Sequence, residues 1–358
     1  MAAAAAVLGW SPAAAQPRVA YALRQGKLFA PARIDGHAVE AMIDTGADVT
    51  VLDVGLARRA GIRARGVALV RGAQNLALAR RAAVEVGFGG VDTELDRVLV
   101  VDFEEALGQP IAAALGRDIL SRFLLDFDFD EGLISAIRPG TYGPPAGATR
   151  LDLGAPGGRP IVELEVEGGR LSALLDTGSE QPLILSPAPA ERLRLLQGRR
   201  VSTEALGGYG RDAVAERATA ASVRFGGVQF RGVPFLVAPR PLGVEAILGL
   251  PLLARFLATL DLSAAQLWLR PRPAFVGASF PKDLTGFSGR PLGEAFRVDH
   301  VARGGPAEAA GFRKGEVIVS VDGRAPLNPT VNASPPGTRV EFTLRSGRTR
   351  SLVLAEYY

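Results

Sequence analysis

Residues 34–46, IDGHAVEAMIDTG, and residues 166–178, VEGGRLSALLDTG, align without a gap, so part of this chain is a copy of another part. The correspondence continues downstream in the same order. Phe88-Gly89-Gly90-Val91 answers Phe225-Gly226-Gly227-Val228, Ala114-Leu115-Gly116 answers Ile247-Leu248-Gly249, and Phe123 and Asp128 answer Phe256 and Asp261. The offset is 132 residues at the aspartates and 133 at the last three landmarks. Four landmarks in order mean two units of one fold.

Each unit reads as β structure. Val39, Ala41 and Ile43, and again Leu171, Ala173 and Leu175, recur at every second position, the spacing of side chains on one face of a strand. Both strands run into Asp-Thr-Gly, where glycine permits a tight turn. After Gly116, Arg117 to Phe123 reads as one short helix, followed by strand-like residues 124–137 with a turn at Glu131-Gly132; the second copy repeats this. With 43 Gly and 25 Pro against 16 Phe, 5 Tyr and 2 Trp, turns are frequent. The expected organisation is mainly β: lobe 1 over 18–138, lobe 2 over 160–271, and a further small α+β unit over 282–358. Four Pro and six Gly fall within 139–159, which reads as a linker, and a second Pro-rich stretch over 270–281 marks the next boundary.

Composition removes several chemistries. There is no Cys, and the only His are His37, in a turn, and His300, in a strand; thiol nucleophiles, disulfides, thiolate metal sites and multi-His metal sites are excluded. No Ser/His/Asp set is credible. The net charge is +4, but 41 Lys and Arg are interspersed with 37 Asp and Glu and no basic run carries interleaved aromatics, so nucleic acid is not an expected partner. Asp126, Asp128 and Asp130 share one strand face, where surface or turn roles are the default over cation binding. Catalysis, if present, falls to carboxylates or hydroxyls, without a metal or cofactor.

The duplicated turn supplies two carboxylates, Asp44 and Asp176. One carboxylate cannot at once deprotonate a water and protonate a carbonyl oxygen; two that face each other divide those roles. At a separation of about 3 Å the pair holds one proton over a wide pH range, and that proton belongs to the pair. A given tripeptide occurs by chance in about one chain of this length in twenty. Two copies at equivalent positions of a repeat are another matter.

Ala41-Met42-Ile43-Asp44-Thr45-Gly46-Ala47-Asp48 and Leu115-Gly116-Arg117-Asp118-Ile119-Leu120, repeated as 174–179 and 247–253, resemble the signature segments of retropepsin-like aspartic proteases. The resemblance covers about residues 20–270, and it implies two six-stranded lobes with the active site between them. It makes Asp44 and Asp176 the catalytic dyad, with Thr45 and Thr177 locking the two loops together. It has Gly46 and Gly178 admit substrate backbone, and sets Ala47 and Ser179 beside the dyad, where the Ser179 hydroxyl is expected on the outer oxygen of Asp176. Gly116 and Gly249 are expected to line the cleft. Glycine-tipped covers are expected over 67–81, with Gly72, and over 202–219, with Gly208 and Tyr209. A pepsin-like flap tyrosine is missing between Asp44 and Gly116, which favours two retropepsin-like covers.

From Phe296 the sequence resembles a PDZ domain of the bacterial protease-associated kind, through Gly305-Pro306-Ala307-Glu308-Ala309-Ala310-Gly311-Phe312 and residues 315–323, GEVIVSVDG. That resemblance makes Thr285, Gly286 and Phe287 the loop whose amides receive a peptide carboxylate, and a peptide or protein its ligand. Residues 325–337 are short and carry four Pro where the family has a helix, which leaves peptide capture and a packing or scaffolding role equally open.

The function expected is an aspartic endopeptidase acting on a peptide or protein; the competing reading is a non-catalytic scaffold. One chain carries both aspartates, so a monomer suffices for the active site. Residues 1–17 resemble an export segment, although no Lys or Arg precedes Arg18, which makes the expected location periplasmic or extracellular in a bacterial setting, and cytoplasmic if that segment is not a signal. No other run reaches the ~20 apolar residues of a membrane span.

Overall fold

A computed structural model describes residues 18–71, 76–104, 110–140, 145–206, 213–325 and 334–358. It is mainly β, and the repeat appears as two lobes with the same strand order. In lobe 1 the eight-stranded sheet runs Ala22–Arg24, Lys27–Ile34, His37–Ile43, Ala113–Leu115, Val51–Asp53, Val91–Val101, Leu76–Phe88, Arg65–Arg71. In lobe 2 the seven-stranded sheet runs Ile161–Val166, Gly169–Asp176, Ala246–Gly249, Leu183–Leu185, Val228–Val237, Ala213–Phe225, Ser202–Leu206. The lobes therefore exceed the six strands expected of each.

Alternation explains the packing. Along Ala213–Phe225, residues 213, 215, 218, 220, 223 and 225 are buried while neighbours such as Val214, Glu216 and Arg224 are exposed, so one face covers the core. The long strands fold over their lobes, and Ile34 and Val166 pair back onto Val86 and Val223. The aspartate strands are paired on both sides: His37–Ile43 runs parallel to Ala113–Leu115 with Ile43 opposite Leu115, and Gly169–Asp176 runs parallel to Ala246–Gly249 with Asp176 opposite Gly249.

A six-stranded sheet joins the lobes beneath the site. Leu124–Asp128 of lobe 1 pairs antiparallel with Phe256–Asp261 of lobe 2, Leu125 opposite Leu260, and each is extended outward by its own hairpin partner. Arg18–Ala20 closes one edge and Thr149–Asp152 the other, paired with Gln266–Pro271. The stretch read as a linker over 139–159 thus contains a strand: Leu151 and Leu153 supply too little apolar periodicity to show it, and the neighbouring sheet edge selects it. The boundary over 270–281 is also anchored. Arg272 donates to Asp130 (2.7 Å) and stacks on Phe275, while Arg255 donates to the Ala278 carbonyl (3.0 Å) and stacks on Phe280.

The last unit is a five-stranded antiparallel sheet, Phe287–Leu292, Ala295–Val301, Val317–Val321, Arg339–Leu344 and Thr349–Val353, with the short helix Pro306–Ala309 and its own core of Val298, Phe312, Ile318, Phe342 and Leu352. It docks on lobe 2. The Ser202 hydroxyl donates to the Arg303 carbonyl (2.6 Å), the Arg303 amide donates to Thr203 Oγ1 (3.0 Å), and the Arg217 guanidinium lies 4.5 Å over the Tyr358 ring.

Candidate active site

Asp44 and Asp176 come together at the lobe junction, in a geometry fixed by the threonines that follow them. The Thr45 hydroxyl donates to the Leu175 carbonyl (2.8 Å) and accepts from the Thr177 amide (3.0 Å); reciprocally, the Thr177 hydroxyl donates to the Ile43 carbonyl (2.7 Å) and accepts from the Thr45 amide (3.1 Å). Both threonines are fully buried. Each hydroxyl uses its donor and an acceptor position on the opposite lobe, so the two turns are held in a fixed mutual register.

The carboxyls are oriented by their own turns. Asp44 Oδ1 accepts from the amides of Gly46 (3.0 Å) and Ala47 (3.1 Å), and Asp176 Oδ1 accepts from Gly178 (2.8 Å). The two carboxyls are within hydrogen-bonding reach of each other, half-buried on the cleft floor. Removal from water, reinforced by the Asp176 charge, pushes Asp44 up to about 8. Removal from water also raises Asp176, against the Gly178 amide, the hydrogen bond from Asp44 and the charge of Lys27, which all favour its ionised form.

The glycines answer a requirement that the sequence does not show. A Cβ on Gly46 would lie 2.5 Å from Asp176 Cγ, and one on Gly178 would lie 2.8 Å from Asp44 Cγ. Each glycine therefore makes room for the opposite carboxyl. Gly116 and Gly249 do not line the cleft: they are buried behind it, where a Cβ would meet the Val49 carbonyl carbon at 2.5 Å and the Gln181 carbonyl oxygen at 2.0 Å. They allow the loop after each aspartate to lie directly on the neighbouring strand. The Ser179 hydroxyl points to the Gln181 carbonyl (3.4 Å), not to Asp176. Gly72, Gly208 and Tyr209 lie outside the described residues, although strands leading to both expected covers are present.

Further polar residues support the turns unequally. In lobe 1, Asp118 accepts from the Thr50 amide (2.8 Å) and hydroxyl (2.7 Å), and Arg117 pairs with Asp48. In lobe 2 the corresponding residues are Pro251, Pro182 and Leu250, and the acid equivalent to Asp48, Glu180, instead pairs with Lys27 of lobe 1. Sequence reasoning missed Lys27 and Glu180, yet one signal was there: an acid stands four residues after each aspartate. Among the described residues no group of His, Cys, Asp and Glu is arranged to hold a metal ion. Asp126 accepts from Thr259 (2.6 Å), Asp128 pairs with Arg18 (2.5 Å) and Asp130 with Arg272, so these acids have structural partners, and Asp130 lies in the turn beyond the strand Leu124–Asp128, not on its face.

In the last unit, Thr285, Gly286 and Phe287 do form a turn, with Gly286 at φ +77°. Its amides are already engaged. Asp283 accepts from Thr285 (2.9 Å) and Gly286 (3.0 Å), and Thr285 Oγ1 accepts from Phe287 (3.4 Å).

A lobe repeated twice, with one aspartate from each copy meeting at the junction, is the architecture of a single-chain acid-protease pair. The chain belongs to the aspartyl protease family: the family model matches residues 30–119 and 162–252, just over half of the chain and one match in each lobe. Among solved structures it is similar to a retropepsin-like aspartic protease from Rickettsia conorii, at 23% identity over 34% of this chain and 89% of that one, with a TM-score of 0.27. No curated protein matches it. Among the described residues no helix is long and apolar enough to cross a membrane.

Proposed function

We propose that the protein is an aspartic endopeptidase whose catalytic residues are Asp44 and Asp176. The observation that carries this reading is the reciprocal threonine lock, which holds two half-buried carboxyls in mutual contact at a cost no purely structural turn requires. With one proton between them, the ionised carboxyl takes a proton from a water placed between the pair and the scissile carbonyl, while the protonated one gives its proton to the carbonyl oxygen. The resulting gem-diol collapses: the carboxyl that now holds the proton gives it to the nitrogen as the C–N bond breaks, the other carboxylate takes one from a gem-diol hydroxyl, and the dyad ends with its single proton where it began. No acyl-enzyme forms.

The substrate in this reading is an extended peptide lying between the lobes. Residues such as Ala68, Val70 and Ala79 of one covering hairpin and Leu206 and Ala215 of the other pack into apolar clusters with Met42 and Ala114, or Leu174 and Ile247, next to the catalytic turns, and this supports apolar side chains flanking the cut bond. Residues 282–358 are proposed to be a PDZ-like unit that acts as a packing module on lobe 2. Internal acceptors already take the Thr285, Gly286 and Phe287 amides, which disfavours capture of a peptide carboxylate.

The test is cleavage of a mixed peptide library between pH 3 and 9 in 18O-labelled water. Direct attack by water places one 18O in each new carboxyl, and activity declines above about pH 8, where Asp44 loses the proton. A wild type that leaves the library intact, or that cuts with a trapped covalent intermediate, excludes this reading.

A further inference from the structure

The edges of the two lobe sheets differ in what lies over them. Ser202–Leu206 ends the sheet of lobe 2 and is covered by the last unit, whose Arg303 is held by the Ser202 and Thr203 side chains. Arg65–Arg71 holds the same place in lobe 1, at the end of the sheet order and paired with Leu76–Phe88 alone. Beyond a bulge between Arg65 and Ala68, no strand among the described residues takes up its outward amides and carbonyls. On the same hairpin Val67, Leu69 and Leu78 are 71%, 66% and 73% exposed, with Leu69 opposite Leu78. The charge is one-sided as well. Residues 54–84 contain seven Arg and no Asp, Glu or Lys, whereas the matching residues 187–220 of lobe 2 set four acids among six Arg. Arg63, Arg65, Arg80 and Arg81 are exposed, Arg65 stands opposite Arg81, and none of the four forms an ion pair among the described residues. Like charges directly across a ladder cost stability, so an anion placed beside them stabilises the hairpin.

We propose that this edge of lobe 1 docks an acidic polypeptide in extended form. Its carboxylates meet Arg63, Arg65 and Arg80, its apolar side chains pack on Val67 and Leu69, and its backbone pairs with the strand from Ala68 to Val70. A polypeptide fits better than an anionic lipid surface, because a bilayer offers no regular donors and acceptors to a sheet edge, whereas an added strand supplies both. Charge complementarity to so dense a basic surface also speeds encounter at low salt. The opposite face of the hairpin, Ala68, Val70 and Ala79, packs with Met42 and Ala114 next to the Asp44 turn, so a docked chain lies beside the cleft. That it is an acidic segment of the substrate, flanking the segment to be cut, rests on the endopeptidase reading; the docking itself does not.

The experiment is fluorescence anisotropy of a labelled peptide of about ten residues, alternating Glu and Val, titrated with the full chain carrying Asp176→Asn so that the probe is not consumed. The peptide binds, and binds more weakly as salt rises from about 50 to 500 mM, since exposed charges are screened. The same peptide with Lys for Glu does not bind, and N-methylation of alternate residues, which removes strand donors, abolishes binding. Arg65→Glu with Arg80→Glu turns two attractions into repulsions and weakens binding about tenfold or more, and Arg65→Gln with Arg80→Gln weakens it about threefold. Equal binding of the Lys peptide, an N-methylated peptide that binds as well, an affinity unmoved by the charge reversal, or a protein that collects on phosphatidylglycerol vesicles while leaving the peptide free overturns the proposal. In the wild type, adding the acidic segment to a peptide that is cut lowers KM and leaves kcat in place. A wild type that cleaves nothing refutes the endopeptidase reading instead, and the anisotropy result stands.

Discussion

Replacing Thr177 with Val tests how firmly the lobes are locked. The substitution keeps side-chain volume but deletes the hydroxyl that donates to the Ile43 carbonyl at 2.7 Å and accepts from the Thr45 amide at 3.1 Å. Thr177 is fully buried, so water does not replace either partner. Two backbone groups lose their bond at about 1–3 kcal/mol each, giving a loss of about 2–6 kcal/mol. Thr177→Ser keeps the hydroxyl and gives up one methyl, about 1 kcal/mol. Urea unfolding followed by far-UV circular dichroism measures both, with the slope unchanged for a loss confined to the folded state. Cleavage falls with Thr177→Val because the loops lose register, and recovers with Thr177→Ser. A Val variant within about 1 kcal/mol of the wild type that retains activity would refute the argument that these contacts hold the dyad.

Gly46→Ala places a methyl 2.5 Å from Asp176 Cγ, so it displaces the opposite carboxyl and abolishes cleavage, whereas the same change at the open Gly140 leaves the rate intact; steady-state kinetics compare them. Glu204, part-buried, pairs with the buried Arg217 under the docked last unit. Burial pushes Glu204 up to about 7 while its charge raises Arg217, and because Arg217 is charged at every accessible pH, the pH response is that of Glu204. Its folded value lies above the unfolded 4.5, so its contribution to stability is complete below pH 4.5 and is lost as pH rises through 7, by at most about 3 kcal/mol. Glu204→Gln flattens this decline in thermal melts taken from pH 4 to 8.

Much of the site was legible because a duplication is a local, countable signal. Asp44, Asp176 and the threonines sit in identical tripeptides, and alternation around Ile43 and Leu175 showed the strands that carry them. What escaped is long-range. Nothing near Lys27 in the sequence shows that it meets Glu180, 153 residues away. The strand at 149–152 exists because a sheet edge receives it, and four Pro and six Gly around it conceal that. The glycines misled in an instructive way. A chain pattern reveals where a Cβ is missing, but only the fold shows that the space at Gly46 and Gly178 belongs to the opposite aspartate, and that Gly116 and Gly249 face backbone rather than cleft.

The central claim is that one aspartate from each lobe forms a single catalytic unit. The most direct test is kcat/KM on one peptide for Asp44→Asn, Asp176→Asn and the double variant. Residues acting as a unit are non-additive, so each single change should reduce the rate to the level of the double variant. If either single variant retains substantial activity, or the two losses multiply, the aspartates do not act together and the account is wrong.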